Sequence, residues 1–205
     1  MNSSLNRKLS SMPKIALVIA LSISLLATAC SAQWISIALA DLPVLTQMAL
    51  NIGTIITTLQ SGQQISATDA AAIQNISAQA SKDLNLLESL YNQYKSNPTA
   101  SGLQKIQIVI ADITQSLPPL LQAAHIGDPV LSARVTAGVN LILTTVASFA
   151  ALIPQAAAPL AAQKSARKPV GIPAAGELKK QWNQQVCGPT AKTGLDLTAS
   201  GCAIK

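Results

Sequence analysis

One histidine, scattered carboxylates, three cysteines and a late cluster of basic residues are the groups with chemistry to offer in this sequence. His125 is the only histidine and sits just before Gly127, at a sequence that ends a helix. A general base needs an orienting carboxylate and a nucleophile within reach. The nearest carboxylate, Asp128, precedes Pro129 and is better explained as a helix cap. His125 therefore reads as a partner for a helix C-terminus, where the partial charge is negative. Asp41 and Asp69 also stand at helix starts, while Asp83, Glu88 and Asp112 fall beside the apolar stripes, as solvated positions do. Paired carboxylates, a Glu-x-x-His pattern and a glycine-rich phosphate loop are all missing from the sequence. The expectation is a non-enzymatic protein with no catalytic residue, no metal ligand set and no cofactor.

Met1 to Lys14 is polar and basic, Ile15 to Leu26 is an apolar run, and Ala27-Thr28-Ala29-Cys30-Ser31-Ala32 is a cluster of small residues. This is the three-part layout of a secretory signal peptide, here residues 1–29. Leu26-Ala27-Thr28-Ala29-Cys30 resembles a bacterial lipobox, in which a small residue precedes the cysteine that receives diacylglycerol. The match departs from the pattern at Ala27, where Leu is usual, with Leu26 one position too early. The resemblance is to bacterial lipoproteins as a class. It implies a lipid on Cys30 and a membrane partner, and Ser31 implies sorting to the outer membrane of a Gram-negative-type envelope. Ordinary cleavage after Ala29 or Ala32, leaving a periplasmic protein, competes with lipidation. So does an uncleaved anchor, since no charge intervenes between Lys14 and Asp41.

Cysteine arithmetic fits export. If Cys30 is lipidated, or removed by a cut after Ala32, Cys187 and Cys202 remain as a pair for an oxidising compartment. Only a cut after Ala29 strands a free thiol. Gly188-Pro189, Gly194 and Gly201 let the intervening loop turn back on itself, so a disulfide is expected. A zinc site is the rival, but two cysteines and one distant histidine fall short of four ligands.

Lys164, Arg167, Lys168, Lys179 and Lys180 form the basic cluster. Nucleic acid is a poor match, because Trp182 alone offers no stacking series. Anionic lipid headgroups or acidic envelope polymers suit it better, against the plain alternative of a linker kept soluble by charge. The formal charge of +6 is concentrated there: residues 30–155 carry four basic and six acidic side chains, and residues 156–205 carry seven basic and two acidic ones.

The elements that would position these groups are helical. The 205 residues are 49% hydrophobic but only 2% aromatic, so the core must rest on Ala, Leu, Ile and Val, which favours close-packed helices over a β-sandwich. Residues 33–154 divide at Ser61-Gly62, Asn97-Pro98 and Gly127-Asp128 into four segments with apolar positions at alternating intervals of three and four. The stripes run Ile35, Ala38, Leu42, Leu45, Ala49, Ile52, Ile56, Leu59; then Ile73 to Tyr94; Leu103 to Ala124; and Leu131 to Leu152. Short joints predict an all-α, antiparallel four-helix bundle. Asn97-Pro98 and Asp128-Pro129 read as cap and first turn, Ser66 with Asp69 as a capping box. The first segment runs from Gln33 to Gln60, or else begins at Pro43 with Asp41 as its cap and leaves Gln33 to Ala40 as a separate turn or short helix. Pro118-Pro119 should break or kink the third segment. Residues 155–176 read as an Ala/Pro-rich linker and 177–205 as a short helix and disulfide-closed loop, a tail outside a core that ends before Gln155. The 19 uncharged residues from Val135 to Ile153 keep a membrane-inserting or pore-forming helical protein open as an alternative. An enzyme without recognisable motif is a second one.

Overall fold

A computed structural model of the chain describes residues 34–55, 65–157, 173–188 and 202–205. Among the described residues the protein is an all-helical bundle of five α-helices with no strand. We label them α1 (Trp34–Ile55), α2 (Ala67–Ser96), α3 (Ala100–Ala123), α4 (Pro129–Ala157) and α5 (Ala175–Gln185).

The stripes read from the sequence are the buried faces. Leu42, Leu45, Ala49 and Ile52 of α1, and Ile73, Ile76, Ala80, Leu84 and Leu87 of α2, have no exposed surface. On α4, Val135, Ile142 and Phe149 are fully buried while Asn140, Thr144 and Ala147 face solvent. Ile56 and Leu59 lie outside the described residues. The buried faces are wider than the stripes: Val44, Met48 and Ile55 on α1 and Val139 and Val146 on α4 join the core.

Trp34 meets Tyr91 edge-on at 5.5 Å, and Ser77 Oγ donates to the Ala49 carbonyl at 2.7 Å, so α1 and α2 run in opposite directions. α2 turns into α3 through residues 97–99 and packs along it. α4 returns against α3, bringing Phe149 to Tyr91 at 6.3 Å. Trp34, Tyr91, Tyr94 and Phe149 thus gather at one end of the bundle. At the other end, Asp69 Oδ2 accepts from the Gly127 N–H.

The helix starts differ from expectation in instructive ways. Thr99, not Asn97, caps α3, its Oγ1 accepting from Gly102 N–H at 3.0 Å, while Asn97 closes α2. Asp128 does cap α4, accepting from Leu131 N–H. Ser66 caps α2, but Asp69 turns its carboxylate across to Gly127 instead of completing a local box. α1 is continuous through Pro43, and Asp41 is not its cap. α3 stays helical through Pro118 and Pro119 to Ala123. The two missing N–H groups free the carbonyls of Thr114 and Gln115, at a half-buried and an exposed position that water can reach. His125 ends α3 in the left-handed region, at φ 43°.

The largest departure is at the C-terminus. Trp182 is a fully buried core residue, joined by Leu178, Val186, Cys187 and Cys202. The core does not end before Gln155, because α5 packs on α4 as part of it.

Candidate functional site

The most elaborate polar arrangement among the described residues is the seat of α5. An 11-residue helix is marginal alone, and its N-cap residue, Ala174, offers no side-chain hydrogen bond. The missing partners come from other helices. Asp41 of α1, 2% exposed, accepts from the Ala175 N–H at the first turn of α5. Arg134 of α4, 5% exposed, donates through Nη1 to the Val186 carbonyl and through Nη2 to the Gly188 carbonyl, both at 2.9 Å. A carboxylate therefore stands at the positive end of the α5 dipole and a guanidinium at its negative end.

Between these ends Trp182 lies against Gly138 of α4. A Cβ at position 138 would stand 2.9 Å from Trp182 Cζ3, so the ring can approach only because the residue is glycine. Trp182 Nε1 donates to the Cys202 carbonyl at 3.0 Å, and Asn51 Nδ2 of α1 donates to the same oxygen at 2.8 Å. Asn183 exchanges two hydrogen bonds with the main chain of Ile204. The Cys187–Cys202 disulfide closes this unit, and both cysteines are buried. The expected pairing is therefore present, within the core rather than in an appended loop.

Asp41 is the perturbed acid of the seat. Burial pushes its carboxyl up to about 6, opposed by the Ala175 hydrogen bond. Its Oδ2 is buried without a hydrogen-bond partner, which makes the ionised form costly. Burial also raises the Tyr91 phenol, whose hydroxyl is likewise without a partner. Among the described residues no group of three His, Cys, Asp or Glu side chains could hold a metal. His125 is exposed. What the seat does chemically is structural: it holds a short helix by both ends.

The basic cluster divides. Lys164, Arg167 and Lys168 lie outside the described residues, as do Cys30 and the segment 1–29. Lys179 donates to the main-chain oxygen of Lys205 at 2.6 Å, tying α5 to the chain end. Lys180 stands 4.0 Å from Glu177 with more than half of its side chain exposed. The part that Asp41, Asn51 and Arg134 play in the seat escaped the sequence reading because the groups of the α5 unit that each one meets lie more than 50 positions away. Their one shared signal is a polar side chain inside an otherwise apolar helical run.

No family model matches the chain, and no curated protein or solved structure is similar to it.

Proposed function

We propose that this is a non-enzymatic, exported protein of a Gram-negative-type cell envelope, tethered by a lipid on Cys30 or free in the periplasm, serving as a helical interaction or structural module. In this reading the four long helices form an antiparallel bundle, α5 closes one side of it, and the basic stretch Lys164, Arg167, Lys168 meets anionic lipid or an acidic envelope polymer. The observation that carries the reading is the buried Cys187–Cys202 disulfide, whose second cysteine also presents the carbonyl that Asn51 and Trp182 share. Structural disulfides belong to oxidising compartments, in accord with the signal-like N-terminus. Intact mass of the mature protein from its native host tests it. Di- or triacylation of Cys30 is the expected result, and a plain N-terminus at Cys30 or Gln33 removes the tether.

Membrane insertion is the second reading, favoured by one observation: Trp34–Ile55 and Pro129–Ile153 are both long and apolar enough to span a bilayer. About half of each is buried within the protein, at 56% and 50%, as in core helices. Asp41, Asn51, Arg134 and Thr145 are buried polar residues on these helices, and the first three bind the α5 unit. Release of dye from liposomes by the purified protein would favour insertion over the tethered module.

A further inference from the structure

Of the side chains that hold α5 and its disulfide unit in place, Asp41 alone carries a carboxyl group. Asn51, Trp182 and Asn183 have no charge to lose, and the guanidinium of Arg134 stays protonated. Asp41 also has no substitute: the Glu177 and Leu178 N–H groups reach the Ala174 carbonyl, whereas the Ala175 N–H takes the Asp41 carboxyl. The second carboxyl oxygen, Oδ2, is buried with no hydrogen-bond partner. Left neutral, the group forgoes one hydrogen bond; ionised, it is a buried charge with a single donor. Burial accordingly pushes it up to about 6 against the Ala175 hydrogen bond, and no charged neighbour contributes. α1 has no other charged residue. On α5, Glu177 stands 4.0 Å from Lys180 and Lys179 donates to Lys205, and on α4 Arg134 spans the far end of α5. On α2, Asp69 binds Gly127 and Asp83 accepts from Gln79, while Lys82 and Lys95 are exposed and Glu88 partly so.

We propose that α5 and the disulfide-linked residues 202–205 form a pH-sensitive latch on the bundle, seated while Asp41 is protonated and opening transiently, in a growing share of molecules, as Asp41 ionises. The parts that move are few. Only Leu178 and Trp182 of α5 are buried, so undocking uncovers less apolar surface than parting two long helices and can occur without them. Residues 202–205 leave with α5, because the disulfide and the bonds from Trp182, Asn183 and Lys179 fasten them to it. The contacts that break are those to Asp41, Asn51, Gly138 and Arg134. Opening puts Asp41 in water, where its carboxyl returns to the ordinary 3.8. A molecule that opens between that value and about 6 therefore gives up a proton, and the hold on α5 weakens as pH rises through this window. Below it α5 is held most firmly; above it the loss is complete. The surface uncovered is the strip of α4 and α1 at Gly138 and Ile52 that the indole of Trp182 fills.

Amide hydrogen exchange of the protein with Cys187–Cys202 closed, measured at pH 5 and pH 8 and corrected for the intrinsic pH dependence of exchange, tests this. At both pH values the amides of Leu178 to Gln185 should be less protected than those around Leu84 of α2 and Ile110 of α3. From pH 5 to pH 8 the protection of α5 should fall about tenfold, the change that a group moving between about 6 and 3.8 imposes on the opening equilibrium. In Asp41→Asn that fall should vanish. Equal protection in α5 and the hairpin would mean that α5 leaves only when the whole bundle unfolds, and the latch is then overturned. A fall of the same size in Asp41→Asn takes the pH response away from Asp41 and overturns it as well. Should that variant not fold, α5 protection that is unchanged between the two pH values in the unaltered protein refutes the latch without it.

Discussion

The α2–α3 hairpin and the α5 seat are held together by different means. The hairpin is apolar along its length, Ile76, Leu84 and Leu87 facing the interior with Ile106, Ile110 and Ile113, and its helix starts are capped within three residues by Ser66 and Thr99. α5 buries only Leu178 and Trp182 within its 11 residues and draws its end groups from α1 and α4. A helix secured by local caps and a continuous stripe tolerates the loss of one contact. One secured by Asp41, Arg134 and a shared carbonyl does not, because Arg134 alone holds two carbonyls and the Cys202 carbonyl takes donors from both Asn51 and Trp182.

The sharpest way to break the comparison is Trp182→Ala. Removing a fully buried indole leaves a cavity beside Gly138, costing about 3–5 kcal/mol, and withdraws one of the two donors to the Cys202 carbonyl. The expected outcome is a fall in the urea midpoint followed by far-UV circular dichroism for the whole bundle, larger than for Ile110→Ala in the hairpin. A transition unchanged except for a small helical loss would make α5 an appendage after all. Next in size is removal of the disulfide in Cys187→Ala/Cys202→Ala. The bonded pair is 15 residues apart, for which the chain-entropy model gives about 3 kcal/mol. Because Cys202 carries the carbonyl that Asn51 and Trp182 share, the loss should appear in the global transition rather than as a separate melting of the C-terminus.

How much of this was legible in the sequence follows from the same contrast. Stripes are periodic, so the buried faces of α1 to α4 and even the exposed line of Asn140, Thr144 and Ala147 could be read in advance. Local caps were legible in place at Ser66 and Asp128 but not at the start of α3. Asp128 caps α4 as its place before Pro129 suggests, whereas α3 is capped by Thr99 rather than Asn97, because a residue before proline looks like a cap until the backbone shows where the first N–H groups point. The seat was not legible. Asp41 had a plausible local role as a cap before Pro43, and Arg134 stands immediately before the uncharged run that begins at Val135, where a charge is unremarkable. Trp182 stood in a short helix read as part of a tail outside the core, because a lone tryptophan after an Ala/Pro-rich stretch carries no sign of the glycine it will pack against. Nothing local distinguishes a side chain that satisfies a distant helix end from one that faces water.

Asp41 sharpens the comparison through pH. Its folded-state value of about 6 lies above the ordinary 3.8, so between these the folded protein binds the extra proton. Stability from this group is therefore fully present below about pH 4 and is lost as pH rises through about 6. Asp41→Asn keeps an oxygen to accept from Ala175 N–H and removes the buried charge. It should flatten the pH 4–6 slope of the urea midpoint and raise stability at pH 7 by about 1–3 kcal/mol. An unchanged slope would show that Asp41 is not the group responsible.

The smallest expected effect belongs to the hairpin side of the comparison, at the end of α3. His125 holds φ at 43°, a conformation in which a Cβ crowds the carbonyl oxygen at a cost of about 1–2 kcal/mol. Glycine at this position would adopt it without that crowding but gives the unfolded chain more freedom, so the net gain from His125→Gly should be under about 1 kcal/mol. Because the side chain is exposed, little packing is lost in exchange. A β-branched residue, as in His125→Val, should instead destabilise, since its side chain tolerates the left-handed region least. Both variants should shift the urea midpoint without changing the denaturant slope, as befits a helix stop that is local. A loss of stability in His125→Gly would mean that the imidazole does more than end the helix, and that the α3 terminus, like α5, depends on a contact its neighbours in sequence do not supply.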